Sequence, residues 1–159
     1  SANMIRINPS VVISAGGEKL KPYAKVGVVF GFGSINYKIT DTDGGDVTKM
    51  KLKTNGGMAI GLSSSLGATF DLSDKLALFG EVNMINLSYA PKKGEYTEYS
   101  YNGEDELGNL TTSEKEFEFE DSVTYDYNNS PSDSEPSKVL KEKMPFGSVG
   151  LNIGVRVNI

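Results

Sequence analysis

The sequence predicts an all-β protein whose strands form an antiparallel, up-and-down meander. Three observations support this fold class. Apolar residues alternate with small or polar residues through five long segments, which is the period of a strand and not of a helix. Short turn-forming segments alternate with long polar segments between these strands. Glycine makes up 18 of the 159 residues without a collagen-like period of three, which suits turns and close contacts between strands.

The strands follow in chain order. The first covers about residues 4–15, and a turn at 16–21 leads to the second, at about 22–35. A polar segment at about 36–56 precedes the third strand at about 57–72, and a turn at 73–75 precedes the fourth at about 76–89. The last strand covers about 145–159. Their apolar faces include Val11, Ile13, Val26, Val28, Ile60, Leu62, Leu78, Val82, Leu151, Ile153 and Val155.

Two features indicate that the apolar face meets lipid and that the small face lines a lumen. Glycine and serine dominate the small faces, where a strand exposed to water usually carries larger charged residues. The predicted strands have roughly 11–15 residues, whereas soluble strands most often have about 5–6 and transmembrane strands need about 9–11. The sequence therefore predicts a transmembrane β-barrel. We expect the lumen to hold a polar network formed by Arg6, Lys25, Glu81 and Arg156.

The alternation of short and long connections is typical of outer-membrane barrels, which have short periplasmic turns and long extracellular loops. A closed bacterial barrel has an even number of strands, and eight is the smallest common number. Five strands therefore predict an incomplete barrel. We expect about three further strands from an N-terminal segment or from another chain. Residues 1–10 lack a basic segment followed by an apolar one, so no signal peptide is expected there.

Three segments resemble small outer-membrane β-barrel proteins of the Bacteroidetes type, within the OmpA/OmpX-like barrel group. These segments are Ile7–Ser14, Lys21–Val28 and Met144–Arg156. The resemblance covers the strands, about half of the chain, and leaves the acidic segment before the last strand unmatched. It implies an antiparallel barrel in a Gram-negative outer membrane, of which this chain is the C-terminal part.

The segment from Glu95 to Glu135 is strongly acidic, with 13 acidic residues and one basic residue, so its net charge is 1 − 13 = −12. We interpret the whole chain, 1–159, as one barrel domain with an extracellular loop or hairpin at about 91–143. One hypothesis is that aromatic and acidic residues of this segment bind an extracellular partner. The alternative is a solvated ribbon that continues the flanking strands. The proposed binding residues are Tyr99, Tyr101, Phe117, Glu118, Phe119 and Glu120.

Composition weakens any enzymatic interpretation, because the chain contains neither histidine nor cysteine. Asp41–Asp46 resembles a calcium loop, but Asp46 and Leu52 stand where an EF-hand needs Gly and Glu. We therefore predict no enzyme activity, no cofactor and no metal site. The net charge of −5 also argues against binding to nucleic acid.

The favoured function is a non-enzymatic outer-membrane protein that displays acidic extracellular loops, with a structural or adhesive role. Its C-terminus would be periplasmic. A small porin-like channel or transport barrel is the first alternative, although a barrel of about eight strands is just wide enough for side chains to fill. A soluble lipocalin-like ligand binder is the second, because such proteins also alternate apolar and polar residues.

Overall fold

A computed structural model describes residues 1–124 and 132–157 of the chain. It confirms the all-β class and a mainly antiparallel sheet. One short α-helix, α1 (Thr112–Lys115), and a 3-10 helix at Leu107–Asn109 are present among these residues. The strands are β1 (Ala2–Ile7), β2 (Ser10–Ser14), β3 (Leu20–Asp43), β4 (Asp46–Asn55), β5 (Ala59–Ser73), β6 (Leu76–Asn86), β7 (Ser88–Tyr89), β8 (Lys93–Tyr101), β9 (Glu104–Asp105), β10 (Glu116–Glu120), β11 (Ser137–Leu140), β12 (Met144–Pro145) and β13 (Ser148–Val157).

The chain divides into two compact units, where the sequence suggested one domain. Unit 1 comprises Ser1–Ile5, Phe32–Met58 and Ala90–Lys143. Unit 2 comprises Arg6–Gly31, Ala59–Tyr89 and Met144–Ile159. The long strand β3 passes from unit 2 into unit 1, so its two halves pair with different neighbours.

Unit 2 contains most of each of the five segments that the alternation predicted, arranged as an antiparallel sheet in the order β2–β3–β5–β6–β13. The predicted first strand is interrupted at Asn8-Pro9, because proline has no N–H to donate to a ladder. The carbonyl of Pro9 still accepts a hydrogen bond from Val28 N at 3.1 Å. The predicted fourth strand ends at Asn86, close to the position where its alternation reverses, and Tyr89 in β7 then pairs with β12.

In unit 1, the interpretation of 36–56 as a polar connection between strands is wrong. This segment is a hairpin in which the end of β3 pairs with β4 over ten residue pairs, from Ser34–Asn55 to Asp43–Asp46. Gly44 and Gly45 form its two-residue turn with φ of 58° and 103°. Positive φ at both central residues matches the twist of antiparallel strands, which is why a Gly-Gly pair suits a hairpin.

The segment at about 91–143, expected to be a loop or hairpin, contains four strands among its described residues. β8 pairs with β4 on one side and with β10 on the other, and β10 pairs with β11 in parallel. A second tight hairpin joins β8 to β9 at Asn102 and Gly103, whose φ values are 50° and 90°. The aromatic residues Tyr125 and Tyr127 of the acidic segment lie outside the described residues.

The sheet of unit 2 is open among the residues that the structure describes, so these residues do not form a closed barrel. No described strand pairs with β13 on the side away from β6, or with β2 on the side away from β3. Residues 158–159, at the end of the predicted last strand, lie outside the described part. Within that part, no helix is long and apolar enough to cross a membrane.

Candidate functional site

The apolar face of unit 2 is exposed along its whole length. All eleven residues that the sequence assigned to lipid are exposed, from 38% at Val28 to 88% at Ile153. Strand pairing aligns them into continuous rows. One row runs across five strands through Ile13, Ala24, Leu66, Val82 and Leu151. Such an extended apolar surface exceeds the isolated apolar residues that any soluble protein exposes.

The opposite face of the same sheet is small and mostly polar, and it is buried or half-buried on the central strands β3, β5 and β6. Ser63, Thr69 and Glu81 are each less than 10% exposed. The Ser63 hydroxyl donates a hydrogen bond to Asn8 Oδ1 at 2.9 Å, so its burial does not leave it unpaired. Unit 2 therefore reverses the usual arrangement, with polar side chains enclosed and large aliphatic side chains outside.

A polar cluster centred on Glu81 occupies this inner face. Glu81 Oε2 pairs with Lys25 Nζ at 2.5 Å and accepts a hydrogen bond from Tyr23 Oη at 2.8 Å. Its other oxygen, Oε1, accepts a hydrogen bond from Asn152 Nδ2 at 3.0 Å. The carboxylate is thus satisfied by three partners from two other strands, as a buried charge requires. Lys25 Nζ also lies 5.4 Å from the centre of the Tyr23 ring, within cation–π range.

The structure brings Lys25 and Glu81 together but places the two predicted arginines elsewhere. Arg6 Nη2 donates a hydrogen bond to Phe146 O at 3.4 Å. Arg156 stands opposite Ala77 on the inner face, and its side chain has no hydrogen bond or ion pair within the described part of the chain. A second pair on this face joins Lys21 Nζ to Asp71 Oδ2 at 2.5 Å.

Tyr23 and Asn152 are members of the cluster that sequence reasoning missed. Strand pairing places Ser14, Tyr23, Gly67, Glu81 and Asn152 in one inward row. The alternation along the sequence assigned Tyr23 and Asn152 to the inner face. Whether they reach Glu81 depends on how their strands are aligned with β6 through the sheet, and alternation alone does not give this alignment.

The inner face of unit 2 also borders a cavity of about 620 Å³. Side chains that contribute to its lining include Val12, Lys21, Phe79 and Arg156. The unit therefore combines a lipid-like outer surface with an inner space that is lined by charged and aromatic groups.

The proposed extracellular binding residues lie in unit 1, where alternation divides them between two faces. Phe117 and Phe119 share one face of β10, and Glu118 and Glu120 share the other. Phe117 packs edge to face against Tyr96, with ring centres 5.4 Å apart, so it contributes to the interior of this unit. Tyr99 is half-buried beside Tyr96, with ring centres 6.2 Å apart, and Tyr101 is exposed.

Several carboxylates of the acidic segment have lysine neighbours, which its local charge did not suggest. Lys51 pairs with Glu98, and Lys138 Nζ pairs with Glu120 Oε1 at 3.0 Å. Lys53 stands directly opposite Glu95. The lysines come from β4 and β11, which cross-strand pairing places beside β8 and β10. No group of three or more potential acidic metal ligands occurs within residues 1–124 and 132–157.

Asp46 lies at the junction of the two hairpins of unit 1. Its Oδ2 accepts a hydrogen bond from Tyr101 Oη at 2.6 Å, and its Oδ1 accepts one from Asn102 Nδ2 at 2.8 Å. These bonds hold the pKa of the Asp46 carboxyl below its usual value, with Tyr101 the larger cause. The same bond raises the pKa of Tyr101, because ionising the phenol would remove the donor.

No protein-family model, curated protein or solved structure matches this chain.

Proposed function

We propose that this protein is a non-enzymatic β-sheet protein of a Gram-negative outer membrane, in which the apolar face of unit 2 contacts lipid. The observation that carries the proposal is the reversed burial of unit 2. The charged side chain of Glu81 is buried, whereas Leu66, Leu151 and Ile153 are exposed. In water this arrangement would expose large aliphatic side chains at a cost of about 1.5–3 kcal/mol each. In a bilayer it is the stable one.

The height of the apolar surface supports the same environment. On β5 the outward apolar residues extend from Ile60 to Phe70, which is 70 − 60 = 10 residue steps. At about 3.4 Å per step, this length is about 34 Å. Strands tilted by about 40° would then cover about 26 Å along the membrane normal, close to the apolar band of about 25 Å in outer-membrane barrels.

The same geometry argues against the soluble lipocalin-like alternative. Such a binder encloses its apolar face around a ligand and presents its polar face to water. In unit 2, the face with Val26, Leu62 and Val82 is exposed, and the face with Thr69 and Glu81 is enclosed.

Unit 1 supports a role in surface display or adhesion. Its strands carry paired charges such as Lys51–Glu98 and Lys138–Glu120, which suit an aqueous environment. The proposal places these strands outside the cell and the end of β13 in the periplasm. An extracellular partner would meet exposed groups such as Tyr101 and the carboxylates of β8 and β10. Phe117 and Tyr96 would support that surface from within.

A fluorescence experiment tests the lipid contact. The chain contains no tryptophan, so one introduced tryptophan is a unique fluorophore. We expect the outward variant Leu66→Trp to be quenched in vesicles of lipids with brominated acyl chains. The matched variant Phe79→Trp, on the inner face, should be quenched much less. Equal quenching of the two variants, or the absence of the protein from the outer-membrane fraction, would overturn the proposal.

A small channel is the second candidate, and the 620 Å³ cavity is the observation that favours it. A conducting path would have to pass Lys25, Glu81 and the neighbouring aromatic rings. Discrete single-channel steps in planar bilayers, altered in amplitude by Glu81→Gln, would support this function. A protein that inserts into the bilayer without conducting would exclude it.

A further inference from the structure

The two outer strands of the unit 2 sheet leave backbone groups without partners. Within residues 1–124 and 132–157, β13 is paired only through its β6 side and β2 only through its β3 side. The side chain of Arg6 reaches Phe146 O, but this 3.4 Å contact is longer than an ordinary hydrogen bond and is no backbone ladder. Unpaired N–H and C=O groups cost several kcal/mol each in hydrocarbon. The proposed membrane environment therefore requires partners at both edges.

Strand direction limits what those partners can be. Four antiparallel steps separate β2 from β13, so the two edge strands run in the same direction. Direct pairing between them would be parallel. The edge strands of a second copy in the same membrane orientation would also run in this direction. Pairing between the edge strands of the two copies would therefore be parallel too. Antiparallel pairing at both edges needs an odd number of intervening strands.

Side chains at the β13 edge indicate the chemistry of the partner. Leu151, Ile153 and Val155 point outward and are exposed, so the adjacent strand needs apolar residues on its outer face. Arg156 points inward and carries a guanidinium without an ion pair in the described part of the chain. Arg156 is exposed at this open edge, so a strand that covers the edge would enclose its guanidinium. A carboxylate on that strand would neutralise it, since enclosed charges in proteins are normally paired.

We propose that one three-stranded antiparallel segment pairs with both β2 and β13, and that it places a carboxylate beside Arg156. This inference rests on the proposed membrane function. Three is the odd number that brings the five strands to eight, the smallest common size of an outer-membrane barrel. The segment would alternate apolar outward residues with small or polar inward ones, as β5 and β13 do.

Hydrogen exchange tests the pairing on protein extracted from its own outer membrane in detergent. We expect the amides of Ser148–Val157 to exchange at least 100-fold more slowly than unstructured amides. They should match those of β6, which already has partners on both sides. Native mass spectrometry should find one copy of this sequence in each particle. Rapid exchange throughout the free side of β13 would overturn the proposal.

Disulfide trapping tests whether a second copy of this chain pairs with the β13 edge instead. The chain contains no cysteine, so introduced thiols are unique. Under oxidation, Leu151→Cys on the edge should form no more dimer than Val82→Cys, its neighbour in the same row of β6. Efficient dimer formation by Leu151→Cys alone would assign the edge to a second copy and overturn the three-stranded segment.

The carboxylate is tested by substituting Arg156. We expect Arg156→Gln to lower the temperature at which the folded band disappears on unboiled gels, and Arg156→Lys to preserve it. Arg6→Gln is the control for a general loss of positive charge. If the folded band disappears at the same temperature for the Gln and Lys variants, the proposed carboxylate beside Arg156 is overturned. If brominated lipid quenches Leu66→Trp while β13 exchanges freely, the membrane proposal stands and this inference alone fails.

Discussion

A Cβ atom placed on Gly67 would lie 2.7 Å from Cζ of Tyr23, far closer than side-chain carbons approach one another. Tyr23 extends from β3 across β5 at Gly67, and its hydroxyl reaches Glu81 on β6. The same Cβ would also lie 2.7 Å from the Cβ of Glu81 and 2.6 Å from the backbone oxygen of Gly80. The missing side chain at residue 67 is therefore the reason that a tyrosine two strands away can bind the enclosed carboxylate.

We expect Gly67→Ala to destabilise unit 2 by about 1–3 kcal/mol, the usual cost of an extra carbon in a filled interior. The methyl group would displace Tyr23 and weaken its hydrogen bond to Glu81. Urea unfolding of the protein in detergent, followed by circular dichroism, measures this change. Gly80→Ala is the control, because a Cβ at that exposed position meets no atom within 4 Å. Similar midpoints for the two variants would contradict the requirement for a glycine at residue 67.

The faces of unit 2 could be predicted from the sequence because a strand has a period of two. A one-residue shift would move every side chain to the other face, and the small residues along β5 and β13 indicated which face has little room. Val12 broke the alternation, and it lines the inner cavity. Register was not accessible in this way. It depends on many weak pairings between distant segments, so alternation could not show that Asn152 aligns with Glu81.

The strand pairing of unit 1 was not predicted, because both faces of its strands contain polar residues. The composition of these strands therefore resembles that of loops. Lys51 and Glu98 are 47 residues apart, and a bulge between Lys51 and Leu52 shifts the register directly beside their pairing. Local indications were nevertheless present. Gly44-Gly45 and Asn102-Gly103 are hairpin dipeptides, and each forms a turn with two positive φ values.

Glu81→Gln should destabilise the protein by about 3 kcal/mol, near the lower end of the range for breaking a buried ion pair. We place it there because the side chain of Lys25 is 31% exposed and regains some hydration. Tyr23 and Asn152 would keep only neutral hydrogen bonds to residue 81, which are weaker than those to a carboxylate. The unfolding midpoint in urea measures the effect.

Glu104→Gln is the control for Glu81→Gln, because Glu104 lies in an exposed hairpin of unit 1. Its substitution should change the free energy of unfolding by less than about 0.5 kcal/mol, as is usual at surface positions. Equal shifts for both variants would mean that the ion pair with Lys25 contributes nothing specific to stability.

Leu66→Arg should impair insertion by about 2–4 kcal/mol, the cost of an arginine on the lipid face near the bilayer midplane. Leu66 lies near the middle of the outward apolar residues of β5, between Ile60 and Phe70, and is 71% exposed. The yield of folded protein in the outer membrane, read from heat-modifiable gel mobility, measures this loss. Leu140→Arg is the matched control on exposed β11 of unit 1. Normal assembly of the Leu66 variant would indicate that this face does not contact lipid.

The hairpin junction of unit 1 should lose order in acid and in strong base. The native pKa of Asp46 is below its ordinary value of 3.8, so its contribution is complete above about pH 4. That contribution is lost as the pH falls through the native pKa. The pKa of Tyr101 is raised above 10.0, so its contribution is present below about pH 10 and is lost as the pH rises through the raised value.

Amide exchange at Val47 and Asn102 reports this behaviour, because the two residues are joined by a hydrogen bond from Asn102 N to Val47 O of 2.8 Å. A second bond of the same length runs from Val47 N to Asn102 Oδ1. Asp46→Asn removes the charge that titrates in acid, so the loss of protection below about pH 4 should disappear in this variant. Glu104→Gln, opposite Tyr101 in the β8–β9 pair, should keep the acid transition. If Asp46→Asn retains the wild-type acid transition, Asp46 does not cause the loss of order at this junction in acid.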